Sequence, residues 1–301
     1  MEIIGHTAVK NFLISVPIAH FPQTLLFVGP RSVGKTTLAH TACARLLEIT
    51  PEAAATHPQV IHLTAGSDPK TGAPRAAISV SMIRELRGLF ALHQSAPRII
   101  LIERAEELNA ESSNALLKIM EEPTRQLFFM ILAQSIESVL PTIVSRAACV
   151  HMSQVGRDEL RAGLFTRGVS YEGGAQGKFS LEDVEEALKL AENRPGVAIR
   201  FLENPEFKTR VRLERTRFER VRAARAMWQI EPLLADLFAK KERHIEARAD
   251  LAEMLEWWLV WLRVEAPQHP ALTIIAATIP RLFENMHPRL LLERVVIELL
   301  S

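Results

Sequence analysis

Thr24-Leu25-Leu26-Phe27-Val28 is an apolar run that leads directly into Gly29-Pro30-Arg31-Ser32-Val33-Gly34-Lys35-Thr36-Thr37, and no other stretch of the chain limits the fold so tightly. The spacing is that of a phosphate-binding loop, G-x-x-x-x-G-K-[ST], between a buried strand and a helix running from Thr36 to about Leu47. Gly29 and Gly34 permit backbone conformations and close approaches that a side chain would block, so successive N–H groups can turn toward phosphate oxygens. Lys35 is placed to hold the β- and γ-phosphates and the Thr36 hydroxyl to meet Mg²⁺, while the helix N-terminus adds positive dipole charge. Gly29, Pro30, Gly34, Lys35, Thr36 and Thr37 are therefore the candidate residues for binding ATP or ADP with Mg²⁺.

The rest of the first half repeats the strand-helix alternation. An initial helix over 7–21 carries Val9, Phe12, Leu13, Val16 and Ile18. After the loop helix, Pro51 and Pro58 bracket a connector, Gln59 to Leu63 reads as a second strand, and Ser81 is placed to cap a helix with Ile83, Leu86, Leu89 and Phe90 on one face. Ile99 to Ile102 is a third, fully buried strand that ends in the carboxylate of Glu103, at the edge where ligands sit in open α/β sheets. Asn109 can cap a helix over 110–122 that Pro123 halts; Leu127 to Leu132 is a fourth strand, 141–146 a short helix, and the stretch around Ala148 to Met152 a fifth strand. The alternation implies a doubly wound parallel sheet.

Strand signals stop near Ser153. Short helices at 158–164, 181–191 and 197–202 follow, then Asn204-Pro205, then a helical remainder with breaks near Pro267, Pro270, Pro280 and Pro288. Seven arginines from Arg210 to Arg225 sit among Glu206, Glu214 and Glu219, a pattern better suited to a solvated face with i,i+4 ion pairs than to a DNA grip. Trp257 and Trp261, one turn apart, suit packing better than base stacking. A net charge of +1 gives no basic footprint, so any nucleic-acid role requires partners. The two cysteines, Cys43 and Cys149, are too few and too far apart for a zinc cluster, and both are expected in the core. The start lacks a signal-peptide pattern and no apolar run reaches about 18 residues, so a cytoplasmic protein without a membrane segment is expected.

In order, Ile4-Gly5-His6, the phosphate loop, Ser113 to Pro123 (S-N-A-L-L-K-I-M-E-E-P), Leu140 to Arg146 (L-P-T-I-V-S-R) and Asn285 to Glu293 together resemble the AAA+ clamp-loader subunits of bacterial DNA polymerase III, most closely those of the delta-prime type. The resemblance covers the whole chain. It implies a P-loop (AAA+) α/β domain with a parallel sheet over 1–153, a small helical lid over 154–204 and an all-α collar over 205–301 that joins a ring of subunits. The implied partners are motor (gamma/tau) and delta subunits, the sliding clamp, and primed DNA within the complex.

The departures decide which type is meant. Motor subunits end the third strand in Asp-Glu, where Asp helps hold Mg²⁺ and Glu orients the attacking water; here those positions are Glu103 and Arg104. A guanidinium cannot act as base, so intrinsic hydrolysis is expected to be slow or absent. Gln134 falls on the γ-phosphate-sensing position at the end of the fourth strand, and the lid segment Asn193-Arg194-Pro195-Gly196 puts no arginine at the second sensing position. Arg146, after Ser145, resembles the arginine finger that acts on the neighbouring subunit's ATP. Residues 48–62 lack the zinc-binding cysteines that the family often carries, so no metal is expected there. A stationary subunit that completes its neighbour's site is the leading expectation; a gamma/tau-like motor or other AAA+ ATPase is the alternative. A small-molecule P-loop kinase fits the helical final third poorly. Whether nucleotide binds stays open at this point.

Overall fold

The computed structural model describes residues 3–65, 78–90, 96–121, 126–167, 179–238, 244–282 and 286–300. It divides into two compact units, Met1–Ser180 with Asn193–Gly196, and Leu181–Glu192 with Val197–Ser301.

In the first unit α1 (Thr7–Ser15) precedes β1 (Thr24–Val28), α2 (Lys35–Leu47), α3 (Pro51–Ala54), β2 (Val60–Leu63), α4 (Val80–Phe90) and β3 (Arg98–Ile102). Then come α5 (Ala110–Glu121), β4 (Leu127–Ala133), α6 (Pro141–Val144), β5 (Ala148–His151) and α7 (Arg157–Thr166). The five strands pair in parallel in the order β2-β3-β4-β1-β5. Alternate side chains serve opposite faces. Leu25, Phe27, Ile99, Leu101, Phe128 and Met130 pack with Leu38, Ala42 and Leu46 of α2. Leu26, Val28, Ile100, Ile102, Phe129 and Ile131 pack with Ile83 and Leu86 of α4 and Leu116 and Met120 of α5. Covering both faces is what turns β1, β3 and β4 into continuous apolar runs. Each such side chain contributes about 1.5–3 kcal/mol by leaving water.

Two predicted caps have different outcomes. Asn109 Oδ1 accepts the Ser112 N–H at 2.8 Å, capping α5 as expected. Ser81 does not cap α4, because the helix has already begun at Val80, and its hydroxyl lies 2.8 Å from that of Ser79. The Pro51 to Pro58 connector contains α3, started by the Thr50 side chain, which accepts the Ala53 N–H at 3.3 Å, and by Pro51 in the first turn. Cys43 is buried, whereas Cys149 is exposed: it lies on β5, the outermost strand, whose residues are mostly open to solvent. Pro123, Gly168, Gly173 and Gly174, read as breaks, lie outside the described residues, as does most of the connector after β2.

The second unit is helical: α8 (Leu181–Ala191), α9 (Pro195–Glu203), whose first two residues group with the first unit, α10 (Pro205–Ala223), α11 (Met227–Phe238), α12 (His244–Glu265), α13 (Ala271–Arg281) and α14 (Pro288–Leu300). Its core joins Phe218, Ile230, Leu255, Trp258, Ile275 and Val295. Trp257 is buried against Phe207, and Trp261 packs on Phe218, so both indoles serve packing. α13 ends at Arg281, one residue past Pro280 and near the break expected there, with the Leu282 N–H shared between the carbonyls of Thr278 and Ile279. Most of the α10 arginines are ion-paired, but mainly to other helices. Arg212 meets Asp183 and Glu186 of α8, Arg210 meets Asp250 and Glu253 of α12, and Arg215 and Arg222 share Glu265; within the helix, Arg215–Glu219 is an i,i+4 pair and Arg217–Glu214 an i,i+3 pair.

Candidate nucleotide site and surface arginine

The loop between β1 and α2 sits at the carboxyl edge of the sheet, and its glycines are required by their surroundings. A Cβ at Gly29 would lie 2.1 Å from the Met152 carbonyl oxygen, and Gly34 takes a φ of +107°. Ser32 also adopts the left-handed region, at φ 63°. Four loop carbonyls are engaged by the chain itself. Lys35 Nζ donates to Gly29 O at 2.5 Å and Pro30 O at 2.6 Å. Gly196 N–H donates to Ser32 O at 2.8 Å. His6 Nε2 lies 3.1 Å from Val33 O, which can only accept, so that nitrogen carries the proton. These contacts give two motifs of the sequence a physical role. Gly5 and His6 both take positive φ to bring the ring to the loop, and a Cβ at Gly196 would lie 2.9 Å from Ser32 O.

Burial lowers the Lys35 pKa to about 8, against the attraction of Glu106 and with a contribution from Arg31. Thr36 is exposed and Thr37 half-buried in the first turn of α2. A cradle with no room for a Cβ at Gly29 and an ammonium resting on loop carbonyls fits a phosphate chain, to which the ammonium can transfer.

The opposite wall is the turn after β3. Glu103 lies near β2, with its Oε1 3.5 Å from His62 Nδ1. Arg104 is more than half exposed, and its Nε pairs with Glu107 at 2.8 Å. The short helical turn Ala105–Glu107 turns Glu106 to Gln134, whose Nε2 donates to Glu106 Oε1 at 2.7 Å. Gln134 follows β4 directly, beside the loop entrance, where the Gly29 N–H reaches Ala133 O at 3.2 Å. The structure thus gathers Gly29, Lys35 and Gln134 at one edge and adds Glu106, which the sequence reading passed over in favour of Glu103. Its signal was the repeated acid in Glu103-Arg104-Ala105-Glu106-Glu107.

Arg146 is built elsewhere on the surface of this unit. Its Nη2 donates to Glu121 Oε1 at 2.8 Å and its Nη1 to Thr142 O at 3.0 Å, leaving the side chain 40% exposed. Glu121 belongs to the N-A-L-L-K-I-M-E-E helix, so two of the quoted motifs meet here.

Comparison with known proteins now decides the family. The family model described as DNA polymerase III, delta subunit, matches residues 5–156, half of the chain. The chain belongs to that family. A DNA polymerase III delta-prime subunit of Pseudomonas aeruginosa is 30% identical over 151 residues, 45% of this chain and 44% of the relative. A DNA polymerase III gamma/tau subunit of Mycobacterium tuberculosis is 30% identical over 165 residues, 48% of this chain and 27% of the relative. The matches span less than half the length of these relatives. Among solved structures, a DNA polymerase III gamma subunit-related protein from Thermotoga maritima superposes over 97% of both chains with a TM-score of 0.53 at 12% identity, which establishes the shared fold. This member of the delta-subunit family has the α/β P-loop (AAA+) domain with a parallel sheet, followed by helices, that its motifs imply.

Proposed function

We propose that the chain is a stationary, delta-prime-like subunit of a bacterial clamp loader, which helps place a sliding clamp on primed DNA and lends Arg146 to the ATP site of an adjacent motor subunit. The observation that carries this reading is the turn after β3: where a motor needs a water-orienting carboxylate, Arg104 presents a permanent cation tied to Glu107. With no base there, general-base assistance of about 10²–10⁴ in rate is forfeited. Arg146 supports the other half of the reading. Glu121 and the Thr142 carbonyl hold its guanidinium at the surface while part of it remains open to a neighbour's phosphates. Such a cation stabilises charge on a phosphoryl group in transfer without any reaction on its own chain.

In the chain's own site, Gly29, Pro30, Gly34, Lys35, Thr36 and Thr37 would hold the phosphates of ATP or ADP, with Gln134 and the acidic turn after β3 at the sheet edge. The bound Mg²⁺-nucleotide would supply a charged ligand that orders the loop. The proposed division is a nucleotide-binding-type domain over 1–153, a lid over 154–204 and a collar over 205–301. Gamma/tau and delta subunits in the cytoplasm are the proposed partners. The acids on Arg210, Arg212, Arg215 and Arg222 argue against a DNA-gripping face on α10.

Arg146→Ala in a reconstituted complex is expected to lower DNA-stimulated ATP turnover at the adjacent site by about a thousandfold while ring assembly, followed by gel filtration, persists. Unchanged turnover would remove the finger. A second reading, a motor subunit, is favoured by the equal identity to a gamma/tau relative. Steady ATP hydrolysis by the isolated chain, abolished in Lys35→Ala, would select it.

A further inference from the structure

Two carboxylates compete for the wall opposite the phosphate loop, and their surroundings differ. Glu103 directs an oxygen to His62 at 3.5 Å, on the β2 side of the sheet. Glu106 reaches across β3 to β4: one oxygen accepts from Gln134 at 2.7 Å, and the other is buried with no hydrogen-bond partner among the described residues. Gln134 in turn adjoins the loop entrance through the Gly29 to Ala133 hydrogen bond. A buried carboxylate oxygen without a donor is costly, so the charge of Glu106 is only partly compensated by its own surroundings.

We propose that Glu106, rather than Glu103, is the carboxylate whose charge acts on the terminal phosphates of a nucleotide on the loop and on their bound Mg²⁺, with one oxygen holding Gln134 in place beside the loop entrance. The assignment rests on the reading of residues 29–37 as a nucleotide site. Its physical content is a sign. A carboxylate beside a bare triphosphate repels it, whereas the same carboxylate beside a triphosphate carrying Mg²⁺ gains from the cation between them. Lys35 is consistent with this placement, because Glu106 is the nearby charge that most favours its protonated form. Glu107, the next acid, is engaged with Arg104 and the Ala65 N–H.

The test is equilibrium dialysis of labelled ATP against the full chain, in excess MgCl₂ and in EDTA, for wild type, Glu106→Gln and Glu103→Gln. Glu106→Gln is expected to weaken Mg²⁺-ATP binding about three- to tenfold and to tighten metal-free ATP binding by a similar factor, the size of one screened charge at this range. Glu103→Gln should leave both within about twofold, a shift near the size of an exposed pair. If Glu106→Gln does not fold, Glu106→Asp is read instead: it keeps the charge but shortens the reach, so it should lose part of the Mg²⁺ gain while metal-free binding stays weak. The opposing pair of shifts appearing in Glu103→Gln, or no shift in Glu106→Gln, overturns the assignment while the nucleotide reading stands. A wild-type chain that binds ATP under neither condition overturns both.

Discussion

Position 6 shows how one side chain can serve the loop and tie it to pH. His6 reaches Val33 O through Nε2, and burial holds its pKa below the usual histidine value, against smaller opposing effects of that carbonyl and of Glu159. His40 is displaced in the same direction by burial and by His62, against Glu103. A histidine whose folded pKa is lowered takes up its proton more readily in the unfolded chain, so its contribution to stability is lost as pH falls below about 6.5 toward the folded value. The thermal midpoint is therefore expected to fall between pH 7.5 and 5.5, and His6→Gln, which retains a donor but does not titrate, should flatten that dependence without removing it. Identical pH profiles for the two proteins would show that the half-burial of the ring does not shift its titration. The same residue marks what the sequence could disclose. Ile4-Gly5-His6 was legible as a motif, but its job, like the need for glycine at 196, depends on a loop some distance away along the chain.

Helix α10 owes its place to a narrow seam. Phe207, Val211, Glu214, Phe218 and Val221 are its buried residues, spaced by four, three, four and three, the spacing of a helix that packs along one line. Most of what flanks the seam is charged, so in the sequence the arginines mask the stripe. Even the seam contains a carboxylate: Glu214 is buried and paired at 2.6 Å with Arg217, itself largely covered. A buried pair of this kind fixes geometry more than it adds stability. Phe218 is the anchor, with ring centroids 5.6 Å from both Trp258 and Trp261. Phe218→Ala is expected to cost about 3–5 kcal/mol in urea unfolding followed by tryptophan fluorescence. A loss below about 1 kcal/mol would mean that the helix is held by its outer ion pairs instead. The strands were the easiest elements to read, because a strand covered on both faces needs an unbroken apolar run. The exception was β5, where the edge position exposes Cys149, and an edge cannot be inferred from one strand alone. The α10 ion partners were illegible for the same reason: α8 and α12 supply them across sequence gaps that periodicity does not see.

All four tryptophans, Trp228, Trp257, Trp258 and Trp261, belong to the second compact unit, and the phosphate loop belongs to the first. Indole fluorescence thus reports one unit while far-UV circular dichroism, sensitive to helices throughout, reports both. A ligand that binds only the folded form of a unit stabilises it by RT ln(1 + [L]/Kd), about 2.7 kcal/mol at a hundredfold excess over Kd. Mg²⁺-ATP held on residues 29–37 is therefore expected to shift the dichroism-detected thermal transition upward by several degrees while the fluorescence-detected transition stays where it was, and Lys35→Ala should cancel the shift. The comparison separates three outcomes that the intact loop motif alone leaves together. A shift in dichroism only places nucleotide on the first unit. A shift in both means that occupancy of the loop is transmitted to the helices bearing the tryptophans, as a subunit that senses its own nucleotide would require. No shift in either, with wild type matching Lys35→Ala, means that the loop is retained as a scaffold whose carbonyls are already satisfied by Lys35, His6 and Gly196, and the chain's part in nucleotide chemistry then reduces to the guanidinium of Arg146.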